Sequence, residues 1–194
     1  MTEPGASSRG GRAGSAAEAL RRLVVDVADF PEPGVLFKDI TPVLADPEAF
    51  GSVVEALADA GRDADGRVVV DHVVGMEARG FILAAPVALA LGAGMVPVRK
   101  AGKLPRATYA ESYSLEYAEA TLEIHQDALR PGDRVLLVDD VLATGGTMAA
   151  TRTLVERSGA VAHAVAVLMD LSFLPGRAAV GDLPLTSLMT VRGT

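Results

Sequence analysis

The sequence predicts an α/β fold, a central and mostly parallel sheet flanked by helices. Short apolar, β-branched runs recur at 68–74, 96–98, 135–138 and 160–169, each bounded by turn residues and so suited to strands buried on both faces. Stretches of helical length and composition lie between them, which is the alternation that β-α-β units require. Three of the strand ends run into charged or glycine-rich loops, and the carboxyl edge of an open α/β sheet is where ligands bind.

The bulk composition narrows the classes. At 194 residues the chain is enough for one domain with a sizeable core, and a second full domain is not expected. The net charge of -7 and the pI near 4.9 disfavour nonspecific nucleic-acid binding, which draws its strength from lysine and arginine. With no cysteine, disulfides and thiolate zinc sites are excluded, and a reducing cytosol is permitted. His72, His125 and His163 lie far apart and show no metal-ligand spacing. Lysine occurs only at positions 38, 100 and 103, so two of the three share one short segment.

From the amino end, residues 1–15 are rich in Gly, Ser, Ala and Arg and lack an apolar stretch, which reads as a flexible tail and not a secretion signal. Leucine and valine at helical spacing predict an amphipathic helix over 16–28. In 29–40, Pro31, Pro33 and Gly34 forbid regular helix and present a fixed loop exposing Phe37. Asp46 as N-cap and Pro47 at the first helical position start a second helix over 47–60. The strand at 68–74 is closed by Gly75, and Met76-Glu77-Ala78-Arg79-Gly80-Phe81 then opens a helix with an arginine able to bridge anionic oxygens.

The apolar stretch 81–98 is long enough to raise a membrane span. Pro86, Gly92, Gly94 and Pro97 break it into a helix at 81–91 and a short strand at 94–99. That strand delivers Arg99, Lys100, Lys103 and Arg106, four cations within eight residues of an acidic chain, which suit a polyanion such as pyrophosphate. The hydroxyl-rich alternation of 108–117, with a return strand at 121–124, predicts a hairpin longer than a structural link requires and a candidate lid.

The most informative run is RVLLVDDVLATGGTMAA, 134–150. A buried strand ends in Asp139 and Asp140, whose carboxylates can accept from vicinal sugar hydroxyls or hold a divalent cation directly or through water. Ala143, Thr144, Gly145, Gly146 and Thr147 follow, then a helix over 148–155. Paired glycines let the backbone aim its N–H groups at one point, and a helix start stabilises an anion there. The lysine of a nucleotide P-loop is missing. The two halves of the run therefore fit one ligand, a sugar phosphate with its diol on the acids and its monoester in the turn. A final strand around 185–189 follows a helix or turn near 172–177.

On these residues the chain resembles the type I phosphoribosyltransferases, most closely those that take adenine. Four segments carry the resemblance in order: FPEPGVLFKDITP, GMEARGF, PVRKAGKLP with ESYSLEYAEATLEIHQDAL, and VLLVDDVLATGGT. The resemblance implies a single domain over 16–194 with a small hood at about 29–45 and a lid at about 101–121. It implies Mg-dependent transfer of ribose 5-phosphate from phosphoribosyl pyrophosphate (PRPP) to N9 of adenine, giving AMP and pyrophosphate, in a cytoplasmic homodimer.

The resemblance also implies roles. Asp139 and Asp140 would hold the ribose diol, with Mg bound mainly through PRPP and reached from the two acids by way of water. Ala143, Thr144, Gly145, Gly146 and Thr147 would cradle the 5-phosphate, and Arg79, Arg99, Lys100 and Lys103 would grip pyrophosphate. Phe37 would stack on adenine while backbone groups of Leu36 and Lys38 read its edge. Glu116 and Tyr117 would arrive with the lid, Glu116 as acid or base at the purine, and Glu77-Ala78 would carry a cis peptide. Purine transferases for 6-oxo bases generally use a late lysine, and no lysine follows Lys103. Ala118 departs from the glycine the family often has there. The alternatives that keep the same motif are a non-catalytic regulator that senses PRPP and a transferase for another purine.

Overall fold

The computed structural model describes residues 8–114 and 119–193. Its framework is a seven-stranded sheet and a small two-stranded one. The latter pairs β1 (Val25–Ala28) with β2 (Leu36–Asp39), antiparallel. The large sheet contains β3 (His72–Met76), β4 (Gly94–Lys100), β5 (Thr108–Ser114), β6 (Glu119–His125), β7 (Arg134–Leu142), β8 (Val161–Leu171) and β9 (Leu185–Val191), in the spatial order β5-β6-β4-β3-β7-β8-β9. The five strands β4, β3, β7, β8 and β9 are parallel, and the β5-β6 hairpin joins antiparallel at β4. The mostly parallel sheet expected from the sequence is thus present.

Helices cover both faces. Leu136 and Val138 of β7 pack into one apolar cluster with α1 (Ser8–Leu23), α3 (Pro47–Ala58) and α4 (Arg79–Leu91). Val135 and Leu137 point the other way, into a second cluster with α5 (Gly146–Arg157). All four side chains are fully buried, each contributing about 1.5–3 kcal/mol of apolar transfer. Two short helices complete the set, α2 (Thr41–Ala45) and α6 (Gly176–Val180). Asp46 caps α3 by accepting from the N–H groups of Glu48 and Ala49 at 3.1 and 2.9 Å, worth about 1 kcal/mol.

Three element boundaries differ from the sequence reading. The first helix runs Ser8–Leu23 and not 16–28, so much of the expected tail is helical. Tertiary anchoring outweighs the poor propensity of Gly10, Gly11 and Gly14: Arg12 donates twice to Asp59, at 2.8 and 3.2 Å, and Ala16 and Leu20 are fully buried. The β-branched Val25 and Val27 instead form a strand against Phe37 and Asp39. The strand placed at 68–74 begins at His72, with Val68 in an isolated bridge to Arg62. The helix or turn expected near 172–177 is a turn that passes into a helix at Gly176–Val180, so the segment extends three residues further.

Candidate active site

Because β3, β4, β7, β8 and β9 are parallel, their carboxyl ends share one edge. Chain order reverses there: β4 lies on one side of β3 and β7 on the other. The crevice between β3 and β7 is a topological switch point, where ligands enter open α/β sheets. The Glu77-Ala78-Arg79 turn leaves β3 at this crevice, and Asp139 and Asp140 stand across it on β7. The Glu77-Ala78 peptide is cis, as the sequence comparison with the family implied.

The acids lie inside β7 and not beyond its end, and the strand changes character around them. Leu136 and Val138 face one cluster and Val135 and Leu137 the other; past the acids, Val141 joins the first cluster and Leu142 the second. The alternation therefore slips by one between Val138 and Val141, the stretch that holds the aspartates. Asp139 lines a cavity of ≈ 80 Å³ with Val141 to Met148, so this acid and the whole Thr144-Gly145-Gly146-Thr147 turn border one space, while the acid's Oδ1 packs beside Gly80, where a Cβ would come within 2.9 Å. Burial raises the Asp139 pKa well above the ordinary 3.8, and the neighbouring Asp140 carboxylate adds to it; the Asp140 N–H, donating to Asp139 Oδ1 at 2.9 Å, only partly offsets them. Further donors to this carboxyl, from hydroxyls or a cation, would offset the burial that raises it.

Asp140 is 5% exposed, and its Oδ2 lies 2.9 Å from Nε of Arg79. The pair is not aligned as a hydrogen bond, so Asp140 Oδ2 and Arg79 Nη1 are both buried without a hydrogen-bond partner among the described residues. Buried polar atoms are rarely left so, and their cluster in a crevice marks a polar ligand's place. The Arg79 guanidinium also sits over the Phe37 ring, 4.9 Å from its centroid, and Phe30 meets the same ring edge-on at 5.0 Å. Arg79 thus joins the aromatic platform to the acids, a link that the sequence reading, which assigned it to pyrophosphate, did not foresee.

The glycine turn is shaped by what lies beneath it. Gly145 has φ +83°, which disfavours a side chain, and a Cβ there would also meet Ala179 Cβ and, at 2.9 Å, Gly176 O. A Cβ on Gly176 would in turn strike Ala143 O. Two glycines in mutual contact let α6 floor the turn, and α5 begins at once with unpaired N–H groups and its dipole directed at the cavity.

The basic loop follows β4, beside β3. Glu77 accepts from the Lys100 N–H at 3.0 Å, and its Oε2 lies 3.4 Å from Arg99 Nε. The Lys100 hydrogen bond, and then Arg99, hold its pKa below the ordinary 4.5. Arg99 donates to Lys103 O at 3.2 Å, while the side chains of Lys100 and Lys103 are exposed. Lys38, in β2 with Leu36 and Phe37, is paired to Asp26 at 2.6 Å, and Leu36 is exposed. Glu116, Tyr117 and Ala118 lie outside the described residues.

The sequence reading missed Tyr113, whose hydroxyl lies 3.1 Å from Thr147 Oγ1, and the carboxylate of Glu77 as the brace of the basic loop. Glu77 sits one residue from a glycine-bounded strand end, a signal that was available; Tyr113 carries none beyond its place in an alternating hairpin. Among the described residues no cluster of three or more His, Cys, Asp or Glu could hold a metal ion.

Known proteins resemble this chain in both sequence and structure. The phosphoribosyl transferase domain model matches residues 43–172. An adenine phosphoribosyltransferase of Nocardioides sp. is 68% identical over 191 residues, covering 98% of this chain and all of the relative. A crystal structure of adenine phosphoribosyltransferase from Thermoanaerobacter pseudethanolicus is 45% identical with TM-score 0.84, over 90% of this chain and 99% of that one. The Saccharomyces cerevisiae enzyme, solved with an imino-altritol bisphosphate and adenine, is 38% identical with TM-score 0.85, over 90% and 99%. With such coverage at both levels, this chain belongs to the phosphoribosyltransferase family, in its adenine phosphoribosyltransferase branch.

Proposed function

We infer that the chain is a pentosyltransferase that moves ribose 5-phosphate from PRPP to N9 of adenine, giving AMP and pyrophosphate in purine salvage. The observation that carries this is the shared cavity of Asp139 and the 144–147 turn at the switch-point crevice, which matches a pentose diol beside a phosphate monoester. The yeast relative's adenine complex supports the choice of base.

In this reading Asp139 and Asp140 accept hydrogen bonds from the ribose hydroxyls. Backbone N–H groups from Ala143 to Thr147, with the two threonine hydroxyls and the α5 dipole, hold the 5-phosphate. Arg79, Arg99, Lys100 and Lys103 stabilise the pyrophosphate as its bond to C1 breaks and the bond from C1 to N9 forms. Phe37 presents a flat apolar face to the purine, with backbone groups of Leu36 and Lys38 at its edge, and in-line placement offsets the weak nucleophilicity of adenine. Glu116, with Tyr117 beside it, takes the proton leaving N9. Mg2+ bound with PRPP would supply charge neutralisation at the departing pyrophosphate. The orphaned Asp140 oxygen and the raised Asp139 carboxyl suit that chemistry, with Asp139 and Asp140 reaching the ion through water.

The same reading places the enzyme in the cytoplasm as a homodimer. Among the described residues no helix is long and apolar enough to cross a membrane. Ile82 and Leu89, two turns apart on α4 and 45% and 83% exposed, give an apolar stripe suited to a second copy. The decisive assay offers purified protein PRPP, Mg2+ and each purine or pyrimidine base in turn. Turnover of adenine alone is expected. Turnover of another base would reassign the specificity, and PRPP binding without turnover of any base would make the chain a sensor.

A further inference from the structure

We propose that Tyr113 is a positioning residue for the phosphate turn, aiming the Thr147 hydroxyl at the 5-phosphate; this rests on the sugar-phosphate reading above and extends it to the hairpin. Strand β5 alternates, so Tyr109, Glu111 and Tyr113 share the face turned to α5. Arg157, in the last turn of α5, donates to Ala110 O at 2.7 Å and to Glu111 Oε2 at 2.8 Å. At the other end of the helix the Tyr113 hydroxyl meets Thr147 Oγ1 at 3.1 Å. The strand is thereby fastened along α5 at both ends, and its second fastening is a residue of the turn itself.

Gly146 makes the contact possible. An ideal Cβ there would lie 2.7 Å from Tyr113 Cδ2, so the ring occupies the space a side chain would need. The glycine that shapes the turn therefore also admits the tyrosine.

The proton count gives the contact its function. A hydroxyl has one proton to donate and lone pairs to accept. When Tyr113 donates to Thr147 Oγ1, the Thr147 proton is left for another acceptor, and Thr147 lines the same cavity as the rest of the turn. A phosphate oxygen there accepts from Thr147, and each hydrogen bond in the chain polarises the next. Without the phenolic proton, the Thr147 hydroxyl is free to rotate.

The test titrates wild type, Tyr113→Phe, Thr147→Ala and the double variant with ribose 5-phosphate and, separately, with pyrophosphate. Tyr113→Phe keeps the ring over Gly146 and removes only the hydroxyl. It should weaken ribose 5-phosphate binding about threefold to tenfold, as loss of one hydrogen bond does, and leave pyrophosphate binding unchanged. In the Thr147→Ala background the second substitution should add nothing, whereas in Thr147→Ser it should regain its effect. Wild-type affinity for ribose 5-phosphate in Tyr113→Phe overturns the proposal, as does equal weakening of both ligands or a full additive loss on Thr147→Ala. Failure of the wild type itself to take up ribose 5-phosphate sinks the sugar-phosphate reading, and the role of Tyr113 with it.

Discussion

Arg79 holds its guanidinium over the ring of Phe37, 4.9 Å from the centroid, while its Nε stands 2.9 Å from Asp140 Oδ2. One side chain therefore ties the proposed base platform to an acid of the proposed diol site. Arg79→Ala leaves the buried Asp140 without a counter-charge, and the expected cost is about 1–3 kcal/mol, nearer the lower end because Arg79 is 37% exposed. Steady-state kinetics should show kcat/KM for PRPP lowered about 100-fold, since one cationic contact to a transferring group is worth that much. Arg79→Lys keeps the charge and loses the planar stack, so it should restore much of the PRPP term and little of the adenine term.

Asp139 sets a pH dependence. Its folded pKa lies above the ordinary 3.8 through burial and then Asp140, so below pH 3.8 the carboxyl is protonated in both folded and unfolded chains. As pH rises through the folded value the unfolded chain ionises first, and wild type loses stability relative to Asp139→Asn. Thermal unfolding should give equal Tm values for the two at the acid end of this window. Above it the variant should unfold at the higher temperature, while its ribose 5-phosphate affinity is lower.

The floor of the glycine turn depends on the absence of a side chain at Gly176. Gly176→Ala drives a Cβ into Ala143 O and to within 2.9 Å of Leu142 Cγ, at a cost of about 1–3 kcal/mol. PRPP KM should rise about tenfold or more, because the displaced atoms belong to the turn. Gly51→Ala is the contrasting substitution: it lies inside α3 with open space around it. It should stabilise by about 0.5–1 kcal/mol and leave KM unchanged.

Glu116→Gln separates binding from chemistry. If Glu116 accepts the N9 proton as proposed, it should matter in the transition state alone. The variant is expected to lose about 100-fold in kcat with PRPP affinity intact, measured by steady-state kinetics beside equilibrium binding. Unchanged turnover would remove it from the catalytic role.

The parallel strands were readable because burial on both faces leaves continuous β-branched runs, and the charged loops at their ends stood out by chemistry alone. The 144–147 turn was legible as a turn for the same reason, since glycines and threonines between a strand and a helix act locally. What escaped the sequence is held by partners far along the chain. Ser8–Leu23 is a helix because Arg12 reaches Asp59, 47 residues away, and three glycines gave no hint of it. Tyr113 and Thr147 are 34 residues apart, and Arg79 meets Phe37 only once β2 and α4 are assembled.

Because the ground beneath the 144–147 turn comes from Gly176 and Ala179, a product halted at residue 172 would contain every recognisable motif and still lack the support of its anion cradle. During synthesis, competence for PRPP would therefore wait until Gly176 and Ala179 have been added and folded against the turn, so that shorter nascent chains would not sequester a costly activated sugar.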